Sequence, residues 1–147
     1  MATRGYVYSV GNESDPGDPW GRSELSIEPD GRVSLRHHFP GPLATRGWTG
    51  RVEPAALEAL RGALEEAGFP DGPSAPPVAG SGLRRLTVGT AYVALPWHLP
   101  AAQAAYAKAF DLLDGVIHEL TAGAVAYPTT HTGLVSDINE APGPSYR

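Results

Sequence analysis

Between Ser23 and His38, apolar and polar residues alternate on both sides of Pro29-Asp30-Gly31, and no other feature of the chain constrains its fold as strongly. Period-two alternation broken by proline, aspartate and glycine reads as an antiparallel hairpin. With Pro29 and Asp30 in the turn and Gly31 in the left-handed position after it, Glu28 falls opposite Arg32. The register follows from that: Leu25 faces Leu35 and Ile27 faces Val33 on one surface, while Glu24 faces Arg36 and Ser26 faces Ser34 on the other. One surface is apolar and one polar, so the sheet is expected to be covered on a single side. A slip of one residue would turn every one of those apolar side chains to water.

The rest of the chain supplies elements that suit such a sheet. Tyr6 to Val10 can form a first strand, and Trp48 to Val52 another that leads into Glu53-Pro54, where proline fits the first helical turn. Leu57, Leu60, Leu64 and Ala67 recur at helical spacing, and Gly68 then stops the helix. Pro70 to Gly82 has no periodicity and reads as a surface loop. Arg84 to Val88 and Ala91 to Leu95 flank Gly89-Thr90 as a second hairpin. A long helix from Pro100 to about Ala122 carries Tyr106, Phe110, Leu113, Ile117 and Leu120 on one stripe, with Asp111 and Asp114 read as surface aspartates. After Gly123 the pattern is lost.

The expected fold is an α+β two-layer sandwich, an antiparallel sheet of about five to six strands with two helices on one face. Residues 1–142 are expected to form a single domain, with 143–147 as a flexible tail. A chain of 147 residues is long enough to bury about two thirds of its unfolded surface in one core. It has no cysteine, so no disulfide supports the fold. No signal-peptide pattern and no membrane-length apolar run occurs, and a cytoplasmic location is expected. The formal charge is -5, from 11 Lys and Arg against 16 Asp and Glu, with no basic block to capture nucleic acid. The abundance of Ala, Gly, Pro and Arg fits the codon bias of a GC-rich bacterial genome.

Candidate chemistry is sparse. His37 and His38 are strand neighbours whose side chains point to opposite faces, so they cannot grip one ion together, and the five histidines show no ligand spacing. Neither a metal nor a cofactor is expected. Alternation carries His37 inward after Val33 and Leu35, where it can be a hydrogen-bonded core histidine or a general base. His98 follows Trp97 in Leu95-Pro96-Trp97-His98-Leu99-Pro100, a proline-stiffened turn suited to presenting both. Trp48 lies between Arg46 and Arg51, and arginine beside an aromatic can bind a carboxylate or phosphate.

Two classes of function fit these residues. One is a non-catalytic protein-binding domain, of the accessory or inhibitor type, using Trp48, Arg46, Arg51 and Trp97. The other is a small cofactor-free isomerase or cyclase that moves a proton with His37 or His98 in an apolar cavity. The expected partner is accordingly another protein or a small apolar ligand, with neither nucleic acid nor membrane involved.

Overall fold

The computed structural model describes residues 5–11, 22–38, 45–69, 83–96, 105–125, 129 and 131–141. In chain order the elements are β1 (Tyr6–Gly11), β2 (Arg22–Ile27), β3 (Arg32–His38), β4 (Thr45–Val52), α1 (Pro54–Ala67), β5 (Leu83–Val88), β6 (Ala91–Pro96), α2 (Ala107–Leu120) and β7 (Val135–Ala141). They form one seven-stranded sheet in the order β6-β5-β1-β2-β3-β4-β7. Every neighbouring pair is antiparallel.

The first hairpin has the register that the alternation requires. Leu25 pairs with Leu35, Ile27 with Val33, Glu24 with Arg36 and Ser26 with Ser34. The Glu28 amide donates to the Arg32 carbonyl at 2.7 Å, and Gly31 turns the chain at φ 95°. Asp30 fixes the turn by accepting from the Arg32 amide at 3.0 Å.

Both helices lie on the Leu25 and Leu35 side. Leu60 and Leu64 of α1 and Phe110, Leu113 and Ile117 of α2 share one core with Tyr8, Ile27, Val33, Trp48 and Leu86. Helix α1 begins at Pro54 and stops at Gly68, whose φ of 82° suits glycine. Helix α2 links the two edge strands, leaving after β6 at one side and delivering the chain to β7 at the other. It is buried around most of its circumference, Asp114 and Gly115 included. Where α1 and α2 meet Ile27, Val52 and Leu134, the remaining space is about 10 Å³, no more than a single water requires.

Strand β7 was not visible in the alternation, and it raises the strand count to seven. Asp137 adopts φ 53° and the β4–β7 register shifts between Thr49 and Arg51. Such a bulge destroys the period-two signal by which a strand is recognised. The entry to β7 is held from outside the sheet. The Glu119 carboxylate accepts from the Leu134 and Val135 amides at 2.8 and 3.0 Å, and the Glu53 amide donates to the Leu134 carbonyl at 2.8 Å.

Candidate functional site

Strand pairing sets side chains in rows across the sheet, and the inner row at one end is polar. It runs Leu95, Arg84, Val10, Ser23, His37, Arg46 from β6 to β4. Ser23 and His37 are 0% and 1% exposed, and Ser23 Oγ lies 2.7 Å from His37 Nδ1. The alternation that carried His37 inward is therefore realised, with a hydroxyl on the opposing strand to satisfy its ring.

Beside it sits a buried ionic cluster. Arg84 Nη1 donates to Asp114 Oδ2 at 2.9 Å and Oδ1 at 3.2 Å. The Tyr8 hydroxyl donates to Asp114 Oδ1 at 2.9 Å and accepts from Arg84 Nη1. The Arg84 guanidinium also stands over the Phe110 ring, 5.2 Å from its centroid. Burial pushes the Asp114 carboxyl above its ordinary range, outweighing the opposing pull of Arg84 and of the Tyr8 hydroxyl. Burial first, and then the adjacent carboxylate, push the Tyr8 phenol well up. Reading Asp114 as a surface aspartate is thus corrected: it is 2% exposed. Its spacing of four from Phe110 already placed it on the apolar stripe. Arg84 shares the inward parity of Leu86, which was the corresponding sign on β5.

The residues expected to surround Trp48 do not share one surface. Trp48 is 3% exposed and belongs to the core, rather than standing at an edge. Arg46 shares its inward parity, lies 4.8 Å from the Trp48 ring centroid, and grips Glu140 of β7 through two hydrogen bonds of 2.9 and 3.0 Å. Arg51 points to the opposite side of the sheet, where it donates to the Asp30 carbonyl at 3.1 Å. Trp97 and His98 lie outside the described residues. No group of three or more potential metal ligands occurs among the described residues. None of their helices is long and apolar enough to cross a membrane.

The outer face of the sheet is the larger feature, since both helices cover the other side. Two of its residues are large, apolar and open to solvent, Tyr92 on β6 at 57% and Val7 on β1 at 49%. They belong to one row, Tyr92, Thr87, Val7, Ser26, Ser34, Thr49, Asn139. On one side of this row stand exposed Arg85 and Arg36, and on the other Arg32 and Arg51. Arg32 and Arg51 are directly opposed across β3 and β4, an arrangement that normally costs stability. Asp30 relieves it by accepting from Arg32 Nε at 2.8 Å while its carbonyl takes Arg51. These two arginines, with Ser34, Thr49, Glu28 and Asp137, border an open depression of about 520 Å³.

At the loop-bearing end of this face, His38 bridges Thr45 and Glu24, with Nδ1 2.8 Å from Thr45 Oγ1 and Nε2 2.7 Å from Glu24 Oε2. That hydrogen bond is the main reason the Glu24 carboxyl lies below its ordinary value. Sequence reasoning did not single out Tyr92 or Val7. Both are strand residues of the parity opposite to their buried neighbours, which was their legible mark. The sequence matches no protein-family model and no curated protein at a significant level.

Proposed function

We propose that the chain is a non-catalytic binding domain, an accessory or inhibitor-type module of a bacterial cytoplasm, and that it engages another protein through the outer face of its sheet. The observation that carries this reading is the exposure of Tyr92 and Val7 in one row of a face that neither helix covers, with arginines on both sides. Tyrosine and arginine are the residue types that dominate binding energy at protein interfaces. Seven strands at about 4.8 Å spacing and about 20 Å length give this face roughly 600 Å² of projected area, close to one partner's share of a standard interface.

The test is affinity capture from the source cell with the wild-type chain and a Tyr92→Ala, Arg85→Glu variant of matched thermal stability. A partner held by the first and released by the second supports the reading. For Tyr92→Ala alone, titration of that partner should show a loss of about 2 kcal/mol. A partner retained by both proteins at equal affinity would refute it.

The Ser23–His37 hydrogen bond favours a second reading, a small cofactor-free enzyme with His37 as the proton carrier. On that reading His37→Ala abolishes turnover of a substrate while Tyr92→Ala leaves it intact. The first reading expects neither effect.

A further inference from the structure

We infer that the partner of the outer face is a protein surface rich in carboxylates; the inference rests on the binding function proposed above. The chain as a whole is acidic, at -5, yet its exposed arginines are unevenly placed. Arg32, Arg36, Arg51 and Arg85 all project from the outer face. Arg85 makes no ion pair among the described residues, and Arg36, which faces Glu24 across β2 and helps hold that carboxyl low, forms no close ion pair with it. Arg36 has Gly47 opposite it and Arg85 has Ala94, so neither guanidinium is screened by a bulky cross-strand neighbour on that side.

The two arginine-bearing rows are four residues apart along β3, from Arg32 to Arg36, or roughly 13 Å. Between them lie Val7 and the hydroxyl side chains of Ser26, Ser34 and Thr49. A partner segment lying along this row would meet guanidinium groups on both sides, the geometry in which bidentate arginine–carboxylate bonds add orientation to affinity.

Other occupants fit less well. Glu24, Glu28 and Asp137 are interspersed with the arginines, so a uniform polyanion such as nucleic acid would meet repulsion along its length, whereas a protein segment can set its uncharged residues against these carboxylates and its own carboxylates against the arginines. A second copy would have to offer the carboxylates of its helix layer. Those of α1 are already engaged, Glu58 and Glu65 with Arg61 and Glu66 with Lys108.

The experiment uses a fluorescent peptide of about twelve residues with alternating Glu or Asp and small apolar residues, a Lys and Arg counterpart, and a single-stranded oligonucleotide of equal length. The acidic peptide should bind the full chain at least about tenfold tighter than either control and weaken about fivefold or more as salt is raised. Amide shifts should change on β1, β3 and β5 rather than on α1. Arg36→Glu with Arg85→Glu should cut affinity at least about tenfold, and a Glu58→Lys control should not. Absence of binding at about 1 mM, equal binding of the basic peptide or oligonucleotide, indifference to the Arg substitutions, or peptide-independent self-association that occupies the face would each overturn the inference. Retention of a captured protein through Tyr92 with failure of the acidic peptide would overturn the partner's chemistry alone. Loss of both would overturn the binding function as well.

Discussion

Replacing Asp114 by leucine tests whether the buried ionic cluster holds the fold or only satisfies itself. Asp114 is 2% exposed and receives hydrogen bonds from Tyr8 at 2.9 Å and from Arg84 at 2.9 and 3.2 Å. The Arg84 side chain is only 10% exposed, so the leucine variant leaves a guanidinium facing an apolar neighbour. Breaking one side of a buried pair costs about 3–5 kcal/mol, because the surviving charge loses its counter-ion. The Tyr8 hydroxyl keeps its bond from Arg84 but loses its acceptor, which adds about 1–3 kcal/mol where no other acceptor is within reach. For a domain whose total stability is about 5–15 kcal/mol, that is a large fraction. The complement is the triple variant Asp114→Leu, Arg84→Met, Tyr8→Phe, which removes all three polar partners together. Burial already outweighs the guanidinium in setting the Asp114 carboxyl, so the charged pair gains little over an apolar replacement of similar volume. The triple variant should return to within about 1–2 kcal/mol of wild type, short mainly by the contact of Arg84 with the Phe110 ring. Reversible urea denaturation with the m-value monitored measures both variants. A single variant that loses less than about 1 kcal/mol, or a triple variant as unstable as the single, would refute the reasoning.

The other predictions concern the core, the first turn and the acid side of the stability profile. Leu113 is fully buried between sheet and helices, so Leu113→Ala should cost about 2–5 kcal/mol in the same denaturation assay, and a change under about 1 kcal/mol would mean that α2 does not pack as described. Gly31 holds φ 95° with the Val52 carbonyl 3.0 Å from where a Cβ would sit, so Gly31→Ala should lose about 1–2 kcal/mol or more. Glu24 is held below its ordinary value of 4.5 chiefly by its hydrogen bond to His38; its contribution is therefore present above that value and lost as the pH falls through the folded one. Wild type should lose stability relative to Glu24→Gln over that acid window, and parallel profiles would show that the His38 contact does not form in solution.

What could be read from the sequence divides along a physical line. The β2–β3 register was legible because its alternation is unbroken and its turn residues admit one solution. Both helix stripes were legible for the same reason, each being a periodic pattern created by burial on one side. Strand β7 was not, because Asp137 in the left-handed region and the bulge beside it remove the period. The Tyr8, Arg84 and Asp114 cluster was hidden for a different reason. Parity can place Arg84 inward, but Asp114 lies 30 positions away on a helix, and no local pattern pairs them. Trp48 was ambiguous because β4 starts at Thr45. Seen as the start of a strand it reads as an edge aromatic, and seen in the middle of one it must alternate inward.

That the proposed binding surface is a face and not an edge follows from how the sheet ends. An open strand edge invites pairing with another chain, and proteins block it with bulges, charges, proline or short strands. Strand β7 carries the bulge together with Asp137 and Glu140, and the latter is also tied back to Arg46. Strand β6 is six residues long and closes on Pro96, which has no amide to donate. Both edges thus carry features that oppose strand addition. On the outer face Tyr92 and Val7 remain in water, although a threonine or serine at either place would serve solubility better. Arginine by itself carries little weight in a chain with a single lysine, Lys108. Its placement carries more, because on α1 Glu58 and Glu65 are paired with Arg61 and Glu66 with Lys108, whereas on the sheet Arg85 makes no ion pair among the described residues and stands beside the row that holds Tyr92 and Val7. The binding function proposed above rests on that combination, since exposed apolar area beside exposed arginine suits a partner that supplies the complement of each.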